Sequence, residues 1–392
     1  MEKELELYIH IPFCIRKCLY CDFVSFADKE DYIDEYTDIL CEEVKHVSEE
    51  YRDRRISSIY IGGGTPSILN CTQIGKLMET LMKSFNIQNI HEKRKGFHLQ
   101  KKIRPLTEVT MECNPGTVDK KKLKTFRKLG INRLSIGLQS ADDKDLRTLG
   151  RIHNYEDFVK AFEAAREAGF DNINIDLMQA IPGQTLNAWK KVLAIAGTWN
   201  PEHISAYSLI IEDGTPFKQM QEKGLLALPD EDEEREIYYY TGEFLEKAGY
   251  RRYEISNYAK PGFECMHNTG YWRRADYLGI GLHASSMIEN CRWKNTDDLD
   301  LYMKGNNIRE EYSELSYKEQ MEEFVFLGLR MTDGISKKDF IDVFHQDFDL
   351  VYGNIVNDLV SQGLIALRGD NVRLTDRGID VSNTVLSQFI IL

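Results

Sequence analysis

The chain has 392 residues, enough for two or three domains and a full core. Its 42% hydrophobic and 29% charged content is that of a soluble globular protein, and no run approaches the ~18 consecutive apolar residues that would span a membrane. A formal net charge of −13 argues against nucleic acid as the main partner, because phosphate contacts need a basic face.

Eight cysteines would suit disulfides only in an oxidising compartment. Met1 to Phe13 offers no charged start, long apolar segment and small-residue cleavage site, so reduced thiols and a cytoplasmic location are expected. The first predicted strand, Leu7–Ile11, leads directly into Cys14, Cys18 and Cys21 in a C-x3-C-x2-C array. Three thiolates in one short loop can hold three irons of a cubane cluster and leave the fourth iron open. Iron–sulfur clusters normally take four cysteines. A loop of three therefore points to a cluster whose open corner is the working site, much as catalytic zinc keeps one position unfilled. A zinc site completed by Asp22 or His10, or three unrelated core thiols, are the alternatives; Arg16, Lys17 and Asp22 make the loop a poor candidate for buried packing.

Further strands are predicted at Ser57–Ile61, Glu108–Glu112, Arg133–Leu138, Asn172–Leu177 and His203–Leu209, alternating with helical patterns. This is the βαβ signature of a parallel sheet, and six such units form an open barrel. After the second strand, Ile74, Leu77, Met78, Leu81, Met82 and Phe85 recur on one helix face as a core stripe. His91 to Arg104 is dense in Lys and Arg and reads as a solvated insertion, with an anionic partner as the sharper alternative. Gly130 and Gly169 suit left-handed helix caps. Beyond Pro216 the rhythm changes: Asp230–Arg235 opens an acidic helix start continuing to Ala248, Arg251–Ile255 can add a strand, and Cys265–Ser286 is rich in Gly, His and aromatics. From about Asp300 the chain reads as a small α+β unit. Its helices Lys318–Leu329 and Tyr352–Gln362 precede a hairpin, Leu364–Leu367 and Val372–Leu374, giving a winged-helix-like shape with too few cations for a DNA-binding wing.

In parallel αβ barrels the working groups gather at the carboxyl ends of the strands. There the sequence places Gly62-Gly63-Gly64-Thr65-Pro66, Glu112-Cys113-Asn114-Pro115, Gln139-Ser140 and Asp176. Carboxylates at buried strand ends need partners, and three polar ends in one barrel mouth favour a shared polar ligand.

Tyr8-Ile9-His10-Ile11-Pro12-Phe13-Cys14 with its cysteine loop, Gly-Gly-Thr-Pro at 63–66 and Glu112-x-Asn114-Pro115 resemble the radical S-adenosylmethionine enzymes over nearly the whole chain. More narrowly, they resemble the oxygen-independent coproporphyrinogen III oxidase group. The resemblance implies a partial (β/α)6 TIM-like barrel with a C-terminal α+β domain. In that family a [4Fe–4S] cluster binds the methionyl amine and carboxylate of S-adenosylmethionine at its open iron and reductively cleaves it to a 5′-deoxyadenosyl radical. Carried over, Cys14, Cys18 and Cys21 would ligate the cluster and Tyr8 would lie beside the cofactor. Gly63, Gly64, Thr65 and Glu112 would meet the methionyl amine side, Arg151 the carboxylate as a planar bidentate donor, and Gln139 and Asp176 the ribose hydroxyls.

Two departures narrow the expectation. Oxidases of the group continue the loop as C-x3-C-x2-C-x-C, whereas Phe23 stands two residues after Cys21, and their long amino-terminal extension is missing. Both features resemble the heme chaperone branch, as does H-N-x-x-Y-W, here His267-Asn268-Thr269-Gly270-Tyr271-Trp272. A His in a flexible aromatic segment can ligate heme iron while Tyr271 and Trp272 cover the porphyrin; a satisfied core histidine is the plainer alternative. The expected organisation is a core barrel over 1–215, a barrel extension carrying the H-N-x-x-Y-W motif over 216–299, and the group's C-terminal domain over 300–392. The expected function is heme trafficking, with heme as cargo passed to respiratory, membrane-associated or other hemoproteins, and without coproporphyrinogen III oxidase activity. The competing readings are a coproporphyrinogen III dehydrogenase and a zinc-bound interaction protein.

Overall fold

The computed structural model describes residues 3–88, 107–305 and 309–390. The basic stretch from His91 to Arg104 lies outside the described residues. Six parallel strands form the centre: β1 (Glu4–Ile11), β2 (Arg55–Gly63), β3 (Glu108–Cys113), β4 (Arg133–Gln139), β5 (Ile173–Gln179) and β6 (His203–Ser208). Each pairs with the next, as expected of successive βα units. Strand alternation sorts the side chains. In β1, Leu5, Leu7, Ile9 and Ile11 are fully buried in the main apolar core. Glu6, Tyr8 and His10 take the other face, toward the barrel interior.

Local signals fix the helices around this sheet. Asn70 caps Cys71–Ser84 in a reciprocal box with Gln73, and Asn154 does the same for Tyr155–Glu167 with Asp157. Gly130 and Gly169 take the expected left-handed conformation, φ +99° and +90°. One residue departs from the predicted stripe: Met82 is 38% exposed, whereas Ile74, Leu77, Met78, Leu81 and Phe85 are buried. At 100° per residue it falls about 80° from Ile74, the edge of the buried face.

The barrel is open between β6 and β1, and the next part of the chain spans that opening. Strand β7 (Asn257–Ala259) pairs antiparallel with β6, while β8 (Tyr277–Ile280) pairs parallel with β1. The connection between them therefore crosses from one edge to the other, carrying the helix Met266–Trp272. Within the aromatic segment, Met266–Trp272 is helical, with Met266 and His267 beside Glu108 and Glu6 near the amino-terminal ends of β3 and β1. The expected strand at 251–255 shrinks to Arg251–Arg252.

Strands β9 (Ser285–Ile288), β10 (Cys291–Asn295) and β11 (Arg309–Glu314) continue the sheet beyond β8. Pairing of β11 with β10 keeps residues 309–314 with the large sheet, so the small C-terminal unit packs from beyond 314 rather than from 300. That unit has helices Tyr317–Gly328, Lys337–Phe344 and Phe348–Ser361 and a three-stranded sheet of β12 (Ile335–Ser336), β13 (Ile365–Arg368) and β14 (Asn371–Leu374). Its separate core centres on Phe340, Phe348, Tyr352 and Val356, against which Tyr238 and Ile255 pack. No helix among the described residues is long and apolar enough to cross a membrane.

Candidate functional site

The cysteine loop is pinned at both ends. Cys14 N–H donates to Phe26 O and Phe26 N–H to Pro12 O, while Gly64 and Thr65 N–H donate to Ile11 O and Phe13 O. Backbone bonds thus fasten the loop to the Gly-Gly-Thr-Pro turn. The approach is close: a Cβ on Gly64 would lie 2.7 Å from Phe13 O, and one on Gly63, at φ +112°, 2.6 Å from the His10 ring.

Cys14, Cys18 and Cys21 line one cavity of about 520 Å³ at the barrel mouth, together with Gly63, Gly64, Thr65, Glu112, Gln139, Arg151 and Asp176. Every expected cluster and cofactor residue except Tyr8 lines it. Among the described residues no three His, Cys, Asp or Glu side chains are gathered closely enough to hold a single metal ion. A cluster asks for a different arrangement, with each thiolate on its own iron. His10 is already engaged, one ring nitrogen 3.0 Å from Tyr8 Oη and the other 3.0 Å from Val24 O. Burial pushes the Cys14 thiol up and the Cys21 thiol to about 11; bound iron would deprotonate both. Thr65 Oγ1 donates to Cys14 Sγ and Arg151 Nη1 to Cys18 Sγ, each at 3.4 Å.

Arg151 is held by Asn114 Oδ1 at 3.1 Å and Gly137 O at 3.2 Å, both through Nη2. Its Nε is buried without a partner. A buried guanidinium with a spare donor fits an incoming carboxylate. Glu112 accepts from Tyr60 Oη at 2.8 Å and Gly63 N–H at 3.2 Å. Burial raises its carboxyl to about 7, against the opposing pull of the Tyr60 bond. Gln139 sits at a strand irregularity with φ 66° and accepts from Tyr207 Oη at 3.0 Å. Asp176 accepts from Ser135 Oγ at 3.0 Å and Asn174 Nδ2 at 2.7 Å, and burial raises its carboxyl.

Tyr8 lies deeper, its ring stacked against Tyr60 at 6.3 Å. Tyr60, Ser135 and Tyr207 are among the cavity residues not assigned from sequence. Their signal was available in the alternation: Tyr60 shares a face with Ser58 and Gly62, and Tyr207 with His203 and Ser205.

The H-N-x-x-Y-W residues point in different directions. His267 enters the barrel base, with Nδ1 3.1 Å from Ser58 Oγ and 3.3 Å from Glu6 Oε2. This is not an ion pair: burial lowers the ring to about 4 and raises Glu6 to about 9, so both partners are neutral near pH 7. Asn268 lines the cavity. Tyr271 is 42% exposed, and Trp272 packs with Tyr253, Phe263 and Met331 beneath the Arg330 guanidinium. The two aromatic rings meet edge to face at 5.3 Å.

Residues 8–196 match the model of the Radical SAM superfamily, and residues 315–381 that of the HemN C-terminal domain. The chain is 37% identical to the heme chaperone HemW of Bacillus subtilis over 388 residues, covering 98% of each. It is 34% identical to that of Lactococcus lactis over 393 residues, covering 100% of this chain and 98% of the relative. Among solved structures, coproporphyrinogen III oxidase (HemN) from Escherichia coli superimposes with a TM-score of 0.84 at 24% identity, over 99% of this chain and 90% of that one, a likeness of fold. Radical SAM membership carries with it a [4Fe–4S] cluster and S-adenosylmethionine. The full-length relationship, joined to a three-cysteine loop opening on a polar barrel mouth, places the chain in the HemW family of the radical SAM superfamily.

Proposed function

We propose that this chain binds heme and passes it to hemoprotein acceptors, with a cluster on Cys14, Cys18 and Cys21 and S-adenosylmethionine beside it. The observation that carries the reading is similarity to heme chaperones over the full length of the chain. Phe23 supports it: the residue lines the mouth, 61% exposed, at the position where the oxidases carry a further cysteine. When bound, the cluster supplies an electron to the sulfonium of S-adenosylmethionine. The chain's own residues orient that molecule: Glu112 and the 63–65 backbone toward the ammonium, Arg151 toward the carboxylate, and Gln139 and Asp176 toward the ribose. The donor set fits, since it offers a carboxylate, a spare guanidinium donor and glycines without side chains in the cavity lining.

The test is anaerobic incubation of cluster-loaded protein with heme and, separately, with coproporphyrinogen III, reductant and S-adenosylmethionine. Heme binding with a new Soret band, heme appearing in an apo-hemoprotein acceptor, and no decarboxylation are expected. Sustained production of protoporphyrinogen would promote the dehydrogenase reading, to which the HemN-like fold lends support.

Arg151→Ala is expected to weaken S-adenosylmethionine binding by ten- to a hundredfold, as loss of a charge-assisted pair contributing about 1.5–3 kcal/mol implies. Because Nη1 also donates to Cys18 Sγ, iron content is measured alongside. Unchanged affinity in a folded, cluster-bearing variant removes Arg151 from the site.

A further inference from the structure

Tyr60 joins two parts of the molecule that are far apart in sequence. Its hydroxyl donates to Glu112 Oε1 at 2.8 Å. Its ring stacks on His267, with centroids 5.1 Å apart and planes 24° from parallel, and on Tyr8 at 6.3 Å. Gly62 makes room for this arrangement. A Cβ there would lie 2.9 Å from the Tyr60 ring and 3.2 Å from the Glu112 carboxyl carbon. The first glycine of the 62–64 run thus serves the contact between Tyr60 and Glu112.

We propose that Tyr60 is a positioning residue for S-adenosylmethionine: it holds Glu112 through its hydroxyl while His267 holds its ring, so the helix Met266–Trp272 and the cofactor end of the barrel bias one another. The inference rests on the reading that Glu112 meets the methionyl ammonium. Glu112 receives one hydrogen bond on each oxygen, and only the Tyr60 bond comes from a side chain that the helix touches. The other groups acting on this carboxyl are Asp176 on β5 and Arg133 on β4, and Tyr8 on β1 feels its charge. Tyr8 also stacks on His267, at 6.3 Å, and the Arg133 charge acts on both His267 and Glu112, but neither side chain hydrogen-bonds the Glu112 carboxylate as Tyr60 does. A ligand that draws His267 out of the barrel removes the ring that covers Tyr60, loosens its hydroxyl and weakens cofactor binding. By reciprocity, cofactor binding then favours the inserted position of His267 and disfavours any ligand that needs it withdrawn.

The sign of the pH effect follows from the hydrogen bond. A donor to the carboxylate favours its charged form, and burial alone disfavours it. Removing the hydroxyl therefore moves the ionisation of Glu112 to higher pH, and the loss of cofactor affinity is greatest near neutrality and shrinks as pH rises.

The experiment titrates S-adenosylmethionine into the full, cluster-loaded chain from about pH 6 to pH 9, using wild type, Tyr60→Phe, Glu112→Gln, His267→Gln and Tyr60→Phe/His267→Gln. Tyr60→Phe keeps the ring and its volume, so folding and the cluster chromophore are retained. A roughly tenfold weakening near neutral pH is expected for it, with the midpoint of the pH profile displaced upward, and a flat profile for Glu112→Gln. The double variant should lose less than the product of the two single losses. Three results overturn the proposal. Unchanged affinity and midpoint in Tyr60→Phe, with Glu112→Gln impaired, remove Tyr60 while leaving the cofactor reading intact. Strictly multiplicative losses break the link to His267. Unchanged binding in Glu112→Gln overturns the assignment of Glu112 itself, and the Tyr60 proposal with it.

Discussion

Serine in place of any one of Cys14, Cys18 or Cys21 is expected to leave anaerobically prepared protein without its brown iron–sulfur chromophore, whereas serine at Cys41 or Cys71 leaves the iron content unchanged. The three loop thiols line the same cavity as the glycine turn and Arg151. A cubane held by two protein ligands is poorly retained, so the loss should be nearly complete rather than graded. The control thiols occupy different settings. Cys41 is fully buried in the helix Ile33–Ser48, and Cys71 is the first residue of the next helix. Placing a hydroxyl at Cys41 costs roughly 1–3 kcal/mol of stability, so thermal melts accompany the iron measurements. Equal iron in all five variants would remove the cluster from this loop.

The barrel strands and the cavity residues at their ends were legible because both rest on short-range rules. Alternation in Leu5–Ile11 fixes which side chains face the helices; the carboxyl ends of β2 to β4 deliver Gly63, Glu112 and Gln139 to one mouth, and Asp176 joins them from the middle of β5, which runs on to Gln179. The small α+β unit was legible from its helices and its Gly369-Asp370 turn. Its boundary was not. Residues 309–314, Arg-Glu-Glu-Tyr-Ser-Glu, carry no apolar alternation, and only their pairing with Cys291–Asn295 assigns them to the large sheet. The direction of His267 was hidden for a related reason. The motif's spacing identifies four residues, but the crossing from β7 to β8 decides that His267 enters the barrel while Tyr271 remains partly exposed. Tyr8 shows the same limit on a smaller scale: alternation turns it inward, and the neighbouring Tyr60 ring then covers it.

Buried polar groups inside the barrel fall into two sets, one near the base and one nearer the mouth. Near the base, Glu108 accepts from Met266 N–H at 2.9 Å, while Gly270 packs so closely on Glu6 that a Cβ would lie 2.0 Å from its Oε1. Arg133, 2% exposed, stands beside Thr110 within this layer. Nearer the mouth, Ser135, Asn174 and Asp176 form the bonded group next to Glu112. The helix 266–272 is thus held by specific polar contacts rather than by apolar packing alone, and its displacement would leave several buried groups unpaired.

His267→Ala is expected to lower stability by about 2–4 kcal/mol and also to change the spectrum of bound heme, two effects that separate its possible roles. The stability loss follows from the inserted ring: it stacks on Tyr60 at 5.1 Å, and its removal leaves a void and takes a partner from Ser58 Oγ. Its pH dependence has a definite sign. Burial lowers the folded-state ring from its ordinary 6.5 to about 4, so its contribution is fully present above about 6.5 and is lost as pH falls toward 4. Wild type should therefore lose more stability than His267→Gln across that window, as followed by denaturant melts. The spectrum answers a different question. On the reading that His267 ligates heme iron, both His267→Ala and His267→Gln shift the Soret band or weaken heme binding, and added imidazole restores the wild-type spectrum to the alanine variant. A variant that melts earlier yet binds heme with an unaltered spectrum makes His267 a barrel-plugging residue and moves the iron ligand elsewhere. The two measurements together decide between these roles, because packing loss alone has no reason to change the ligand field of the iron.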